Sequence, residues 1–165
     1  MRVNALCLAA AMTLAAGCGG AKGPAKPDPI VAVTPAEVLE AGKGIVEKYR
    51  QAYQVRSLDS LAELYSQTDD VVIVHQGADS HGWTAVKAYL DGLLQRAVEV
   101  HVKMSNVTVA AIGEAGAAVT AEMARAISDG EATVEEKGVL TLTIRREGDK
   151  WVVLHEHFSY RASVP

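Results

Sequence analysis

The sequence predicts an α+β domain, with helices packed on one face of an antiparallel sheet. Three observations carry this. Apolar residues recur at helical spacing in the first half of the chain, as in Ile45, Tyr49, Ala52 and Tyr53, and again in Val86, Tyr89, Leu90, Leu93 and Leu94. Four strand-like segments fill the second half. The breaks between them pair glycine with acidic residues or serine, at 113–114, 128–130 and 147–149, which is hairpin chemistry. Consecutive hairpins make an antiparallel meander.

Thr34 and Pro35 open the first helix. Threonine caps, and proline suits the first helical position. Val38, Leu39, Ile45, Val46, Tyr49, Ala52 and Tyr53 give it one apolar face, up to about Arg56. Gly42 and Gly44 weaken its middle. A shorter helix is expected over 58–65, capped by Ser57 or Asp59. Thr68, Asp69 and Asp70 end it. Residues 71–75, Val-Val-Ile-Val-His, form one early strand, rich in β-branched side chains. A polar loop over 76–80 leads through His81, Gly82 and Trp83 into the third helix. The meander strands are expected over 98–110, 117–127, 133–146 and 151–160.

The ends read as addressing rather than fold. Arg2 precedes an apolar run to Ala16, too short to span a bilayer but suited to a secretory signal. Leu14-Ala15-Ala16-Gly17-Cys18 resembles the bacterial lipoprotein cleavage box, although Ala15 stands where leucine is usual. The resemblance implies a signal peptide over 1–17, cleavage before Cys18, lipidation of Cys18 and a cell-envelope location facing the periplasm or exterior. Gly19 at the next position favours release to an outer membrane. The alternative is an exported protein cut near Ala16 with a free Cys18. Residues 18–33, rich in glycine and proline, make a flexible tether, and 34–165 form the folded domain. Cys7 and Cys18 are the only cysteines, and Cys7 lies in the signal, so no internal disulfide or cysteine metal site is expected. The net charge is −4, and loss of Arg2 makes the mature chain more acidic. No basic patch appears, which argues against a nucleic-acid partner. No later segment is long and apolar enough to cross a membrane as a helix.

The terminal segment, Trp151 to Tyr160, alternates strictly. Period two places Trp151, Val153, His155, His157 and Ser159 on one face. Val152, Leu154, Glu156, Phe158 and Tyr160 share the other. The histidine face is expected to line a pocket. The second face is mostly apolar where a one-sided sheet would be polar, so it is expected to be covered, with a homodimer packed sheet against sheet through this outer face. Glu156 then reads as a surface or interface residue.

The order helix, helix, strand, helix, four-strand meander resembles the SnoaL-like branch of the nuclear transport factor 2-like superfamily. Two stretches carry the likeness. One is Val-Val-Ile-Val-His, a loop, then Gly82-Trp83-Thr84-Ala85-Val86. The other is Gly148-Asp149-Lys150-Trp151 through the ending His155-Glu156-His157-Phe158-Ser159. The resemblance implies a curved sheet wrapped round a helix as a cone with an interior pocket. The superfold hosts isomerases, cyclases, dehydratases and plain binding domains, so it leaves function open.

Candidate site residues follow from the residue types. His155 and His157 are the catalytic candidates, because a histidine in a partly apolar pocket can donate and accept protons near neutral pH. With His75 they are also metal candidates, Glu122 and His101 being outside choices, although no acidic cluster completes a ligand set. His75, Trp83, Tyr49, Tyr53, Tyr89, Met123, His155 and His157 are the expected pocket lining. Glu122 and Arg125 sit an odd number of residues apart, so one reaches inward and the other outward. No cofactor motif is present. The expected function is an envelope-anchored domain that binds a small, partly apolar ligand or a partner protein. The alternatives are an isomerase-, cyclase- or hydratase-type enzyme and a structural lipoprotein. A cone filled by its own side chains would count against both small-molecule readings.

Overall fold

The computed structural model describes residues 33–162. The expectations for the signal, for Cys18 and for almost all of the tether lie outside the described residues. Within them the chain runs α1 (Pro35–Gln54), α2 (Leu58–Ala62), β1 (Val72–His75), β2 (Ala78–His81), α3 (Gly82–Arg96), β3 (Glu99–Ile112), β4 (Gly116–Ser128), β5 (Thr133–Glu147) and β6 (Lys150–Ala162). The strands make one curved, open six-stranded sheet in the order β2-β1-β6-β5-β4-β3. All neighbours are antiparallel except β1 and β6, which are parallel. The predicted α+β architecture, with its meander and N-terminal helices, is the one observed.

Local chemistry explains the starts. The Thr34 hydroxyl accepts from the Glu37 amide while the Glu37 carboxylate accepts from the Thr34 amide, a complete capping box with Pro35 inside it. The Ser57 hydroxyl caps α2 by accepting from the Ser60 amide at 3.1 Å. Two expectations differ. The 76–80 loop is a tight hairpin: Gln76 and Gly77 both have positive φ, so β1 turns straight into β2. The second helix stops at Ala62, because the chain beyond it joins the sheet. The Val153 amide donates to the Leu64 carbonyl at 2.7 Å, and the Ser66 amide donates to the Val153 carbonyl at 2.9 Å. That bridge between Tyr65 and Val153 fixes where the Tyr65 side chain enters the interior.

Helix α1 lies across the concave side of the sheet, mainly on β3. Gly42 permits this: a Cβ there would stand 2.7 Å from a Val109 methyl, whereas one at Gly44 would meet nothing. The core joins Ile45, Tyr49 and Tyr53 of α1 and Leu90 of α3 to Val119, Leu140, Leu142, Ile144, Val153 and Phe158 of the sheet.

The register of β6 overturns the face assignment made from its alternation. Ile144 pairs with Val153, and the next β5 residue inward, Thr143, pairs with His155. Leu154 is therefore an extra residue, a β-bulge, and it reverses the facing of everything after it. Val153 points into the core, and so do Glu156 and Phe158, opposite Leu142 and Leu140. His155 and His157 pair with Thr143 and Thr141 on the convex face, where His157 is exposed. Phe158 and Tyr160 pack in and against the core beside Glu156, so their apolarity no longer argues for a second copy of the chain.

Candidate functional site

The interior holds a buried polar cluster centred on Glu156, whose carboxylate is fully buried. Three donors converge on it from three elements. The Tyr49 hydroxyl, from α1, donates to Oε1 at 2.9 Å. The Tyr65 hydroxyl, placed by the bridge to Val153, donates to Oε2. The His75 Nε2, from the end of β1, stands 2.7 Å from Oε1. A carboxylate only accepts, so Nε2 carries the proton. The other ring nitrogen, Nδ1, meets the hydroxyl of Tyr89 from α3. Tyr89, half-buried, is the outermost member of this chain of contacts. The parallel register of β1 on β6 sets the arrangement by placing Ile73 beside Glu156 and His75 beside Phe158.

Burial is the largest single influence on Glu156 and pushes its carboxyl up. The hydrogen bond from His75, the charge its ring carries when protonated, and the Tyr65 and Tyr49 hydroxyls together outweigh it and hold the carboxyl below its usual range. Burial first, and the Glu156 charge second, push the phenols of Tyr49 and Tyr65 far up. Burial pushes Tyr89 up to about 12. All three phenols therefore remain protonated donors at neutral pH.

A second buried pair lies beside the first. Arg125 of β4 faces Glu136 of β5 across the ladder, with Nε at 2.8 Å and Nη2 at 2.7 Å from the same Glu136 Oε2. Its guanidinium lies over the Tyr53 ring at 5.5 Å and the Phe158 ring at 5.4 Å. The Phe158 ring also packs edge-on to His75, with centroids 5.8 Å apart.

Of the expected pocket residues, Tyr49, Tyr53, His75 and Tyr89 do come together, and Trp83 packs at the margin of the core. Met123 is buried opposite Met104 on the inner face of the β3–β4 pair. His155 and His157 lie across the sheet from His75, so the three cannot converge on one metal ion. His101 pairs with Glu99 at the surface, and Glu122 lies on the convex face beside Ser105. Arg125 is the inward member of its pair with Glu122. Among the described residues no group of three or more metal-ligating side chains is placed to hold an ion. Sequence reasoning missed Glu156 and Tyr65. A single carboxylate in an otherwise apolar strand row was the available sign, since an isolated acid there is solvated only if the row is outside. A separate groove of about 730 Å³, between α1 and the β5–β6 turn, is lined by residues such as Lys48, Leu64 and Trp151 and by none of the Glu156 cluster.

The fold is shared with solved structures of low sequence identity. An NTF2-like superfamily protein from Salmonella enterica serovar Typhimurium is 12% identical, with a TM-score of 0.71 over 80% of this chain and 96% of that one. A provisionally named dehydratase of the NTF2-like family from Streptomyces avermitilis is 20% identical, with a TM-score of 0.67 over 78% and 99%. A protein with a cystatin-like fold from Caulobacter vibrioides is 15% identical, with a TM-score of 0.64 over 76% and 90%. At these identities the likeness is one of fold. No curated protein matches the sequence. A family model described as the SnoaL-like domain matches residues 43–163, and with the cone-forming sheet and helices described above this places the chain in the SnoaL-like domain family.

Proposed function

We propose that this SnoaL-like domain holds a small, partly apolar molecule near Tyr89 and exchanges a proton with it through His75, as in dehydration or double-bond isomerisation. The carrying observation is the Glu156 carboxylate, fully buried and met by three donors. It fixes the His75 ring with Nε2–H inward, so the basic Nδ1 faces outward to the Tyr89 hydroxyl. A proton taken up through Tyr89 and His75 leaves an imidazolium whose charge Glu156 stabilises without being protonated. Glu156 is a positioning residue here, and the acid–base role moves from His155 and His157 to His75. The competing structural reading draws on the full burial of Tyr49, Tyr53 and Phe158, which fill the deep end of the cone.

The test incubates the full chain with small cyclic ketones and hydroxyketones in D2O, followed by NMR. Deuterium uptake or loss of water that disappears in a folded His75→Gln variant supports the reading. Absence of turnover, or turnover undiminished in that variant, refutes it. The same reading keeps the domain tethered to the envelope through lipid on Cys18, which mass spectrometry of the N-terminal peptide checks. A homodimer, if formed, would use the convex face carrying Thr141, Thr143, His155 and His157. A monomer by light scattering at micromolar concentration would remove it.

A further inference from the structure

The bulge at Leu154 leaves two imidazoles on the outside of the sheet. His155, half-buried, and His157, exposed, leave the convex face of β6 in the same direction. Residues two apart on a strand lie about 6–7 Å apart along the backbone, close enough for both rings to reach one ion. Of the five histidines, the other three each meet a carboxylate: His75 meets Glu156, His81 meets Asp79 and His101 meets Glu99. Among the described residues, His155 and His157 have no such partner. Their neighbours across the ladders are Thr143 and Thr141 of β5 and Val72 and Val74 of β1, all half-buried and uncharged. The acid placed beyond β1, Asp79 opposite Val74, is held by His81.

We infer that His155 and His157 bind a divalent ion of the zinc type that bridges two copies of the chain, each copy supplying the pair. Two neutral imidazoles are good ligands to such an ion, but they fill only half of its tetrahedral shell. One chain does not supply the rest, since among the described residues no group of three or more ligating side chains is placed to hold an ion. A two-fold axis through the ion brings the same pair from a second copy and completes the shell with four nitrogens. Charge favours the same occupant. The chain carries a net charge of −4, so two copies repel each other, and a dication between them offsets that repulsion. The uncharged threonines and valines around the pair let the two faces approach without stranding a charge. An all-nitrogen ligand set disfavours Mg2+ and Ca2+, which take oxygen. The inference takes the convex-face homodimer further and is independent of the proton-transfer reading.

The experiment measures the mass of the full chain by light scattering in EDTA, in Zn2+ and in Mg2+, and counts bound ions by titration calorimetry. Cys7 and Cys18 are alkylated first, so that thiols do not bind the metal. The expected result is the mass of one chain in EDTA and in Mg2+ and of two chains in Zn2+, with one ion taken up per two chains. His157→Ala alters an exposed side chain, so the fold should hold while the zinc-driven doubling of mass is lost. The mass of one chain in saturating Zn2+, uptake of one ion per chain, or a doubling reproduced by Mg2+ or by His157→Ala overturns the inference. A homodimer that persists in EDTA and in His157→Ala is judged on uptake alone. One zinc per two chains, lost in that variant, supports the site, and no such uptake overturns the site while leaving the homodimer. The mass of one chain under every condition overturns both.

Discussion

Replacing Glu156 with alanine should strongly destabilise the fold, although strict strand alternation would place this residue at the surface. The side chain is 0% exposed and receives the hydroxyls of Tyr49 and Tyr65 and the Nε2–H of His75. Truncation strands three buried donors at once. Removing one member of a buried, hydrogen-bonded charge cluster costs about 3–5 kcal/mol. That is a large share of the roughly 5–15 kcal/mol that stabilises a domain of ordinary size. His157→Ala, one residue along on the exposed convex face, should cost less than about 0.5 kcal/mol. Urea unfolding followed by circular dichroism reads both. With a slope of about 1–3 kcal/mol/M, the Glu156→Ala midpoint should fall by roughly 2 M, or the variant should be unfolded without denaturant. A loss within about 1 kcal/mol of wild type, or an equal loss in His157→Ala, would refute the inward placement of Glu156 and with it the bulge at Leu154.

Two further predictions come from the same packing. Gly44→Ala should stabilise the protein by about 1 kcal/mol, because its Cβ meets open space and glycine is a poor helix former. Gly42→Ala, two residues away, should cost about 1–3 kcal/mol, because its Cβ would stand 2.7 Å from Val109; thermal melts of the pair should move in opposite directions. Acid should also destabilise the fold. Glu156, Glu147 and Asp70 are all held below their ordinary values, so their contribution is fully present above about pH 4.5, where the unfolded carboxyls are ionised, and drains away as pH falls through the lower folded values. The melting temperature should therefore drop below about pH 4, with a shallower fall in Glu156→Gln; a melting temperature that rises on acidification would contradict the arrangement.

The sequence by itself determined the fold class, the order of elements and most of their starts. Those follow from local chemistry: Thr34 and Glu37 cap one helix, Ser57 caps another, and glycines punctuate the meander. It also brought out Tyr49, Tyr53, His75 and Tyr89, since helical spacing and the end of a β-branched strand are local signals. Which face of the last strand looks inward was decided only by tertiary structure. A bulge is a mismatch between two strands, so the extra residue at Leu154 exists only relative to β5 and leaves no mark on the alternation of β6 alone. One inserted residue exchanged His155 and His157 for Glu156 at the centre of the cone. The partners of Glu156 come from residues 81 to 107 positions away in sequence for His75, Tyr65 and Tyr49, and no local pattern encodes that convergence.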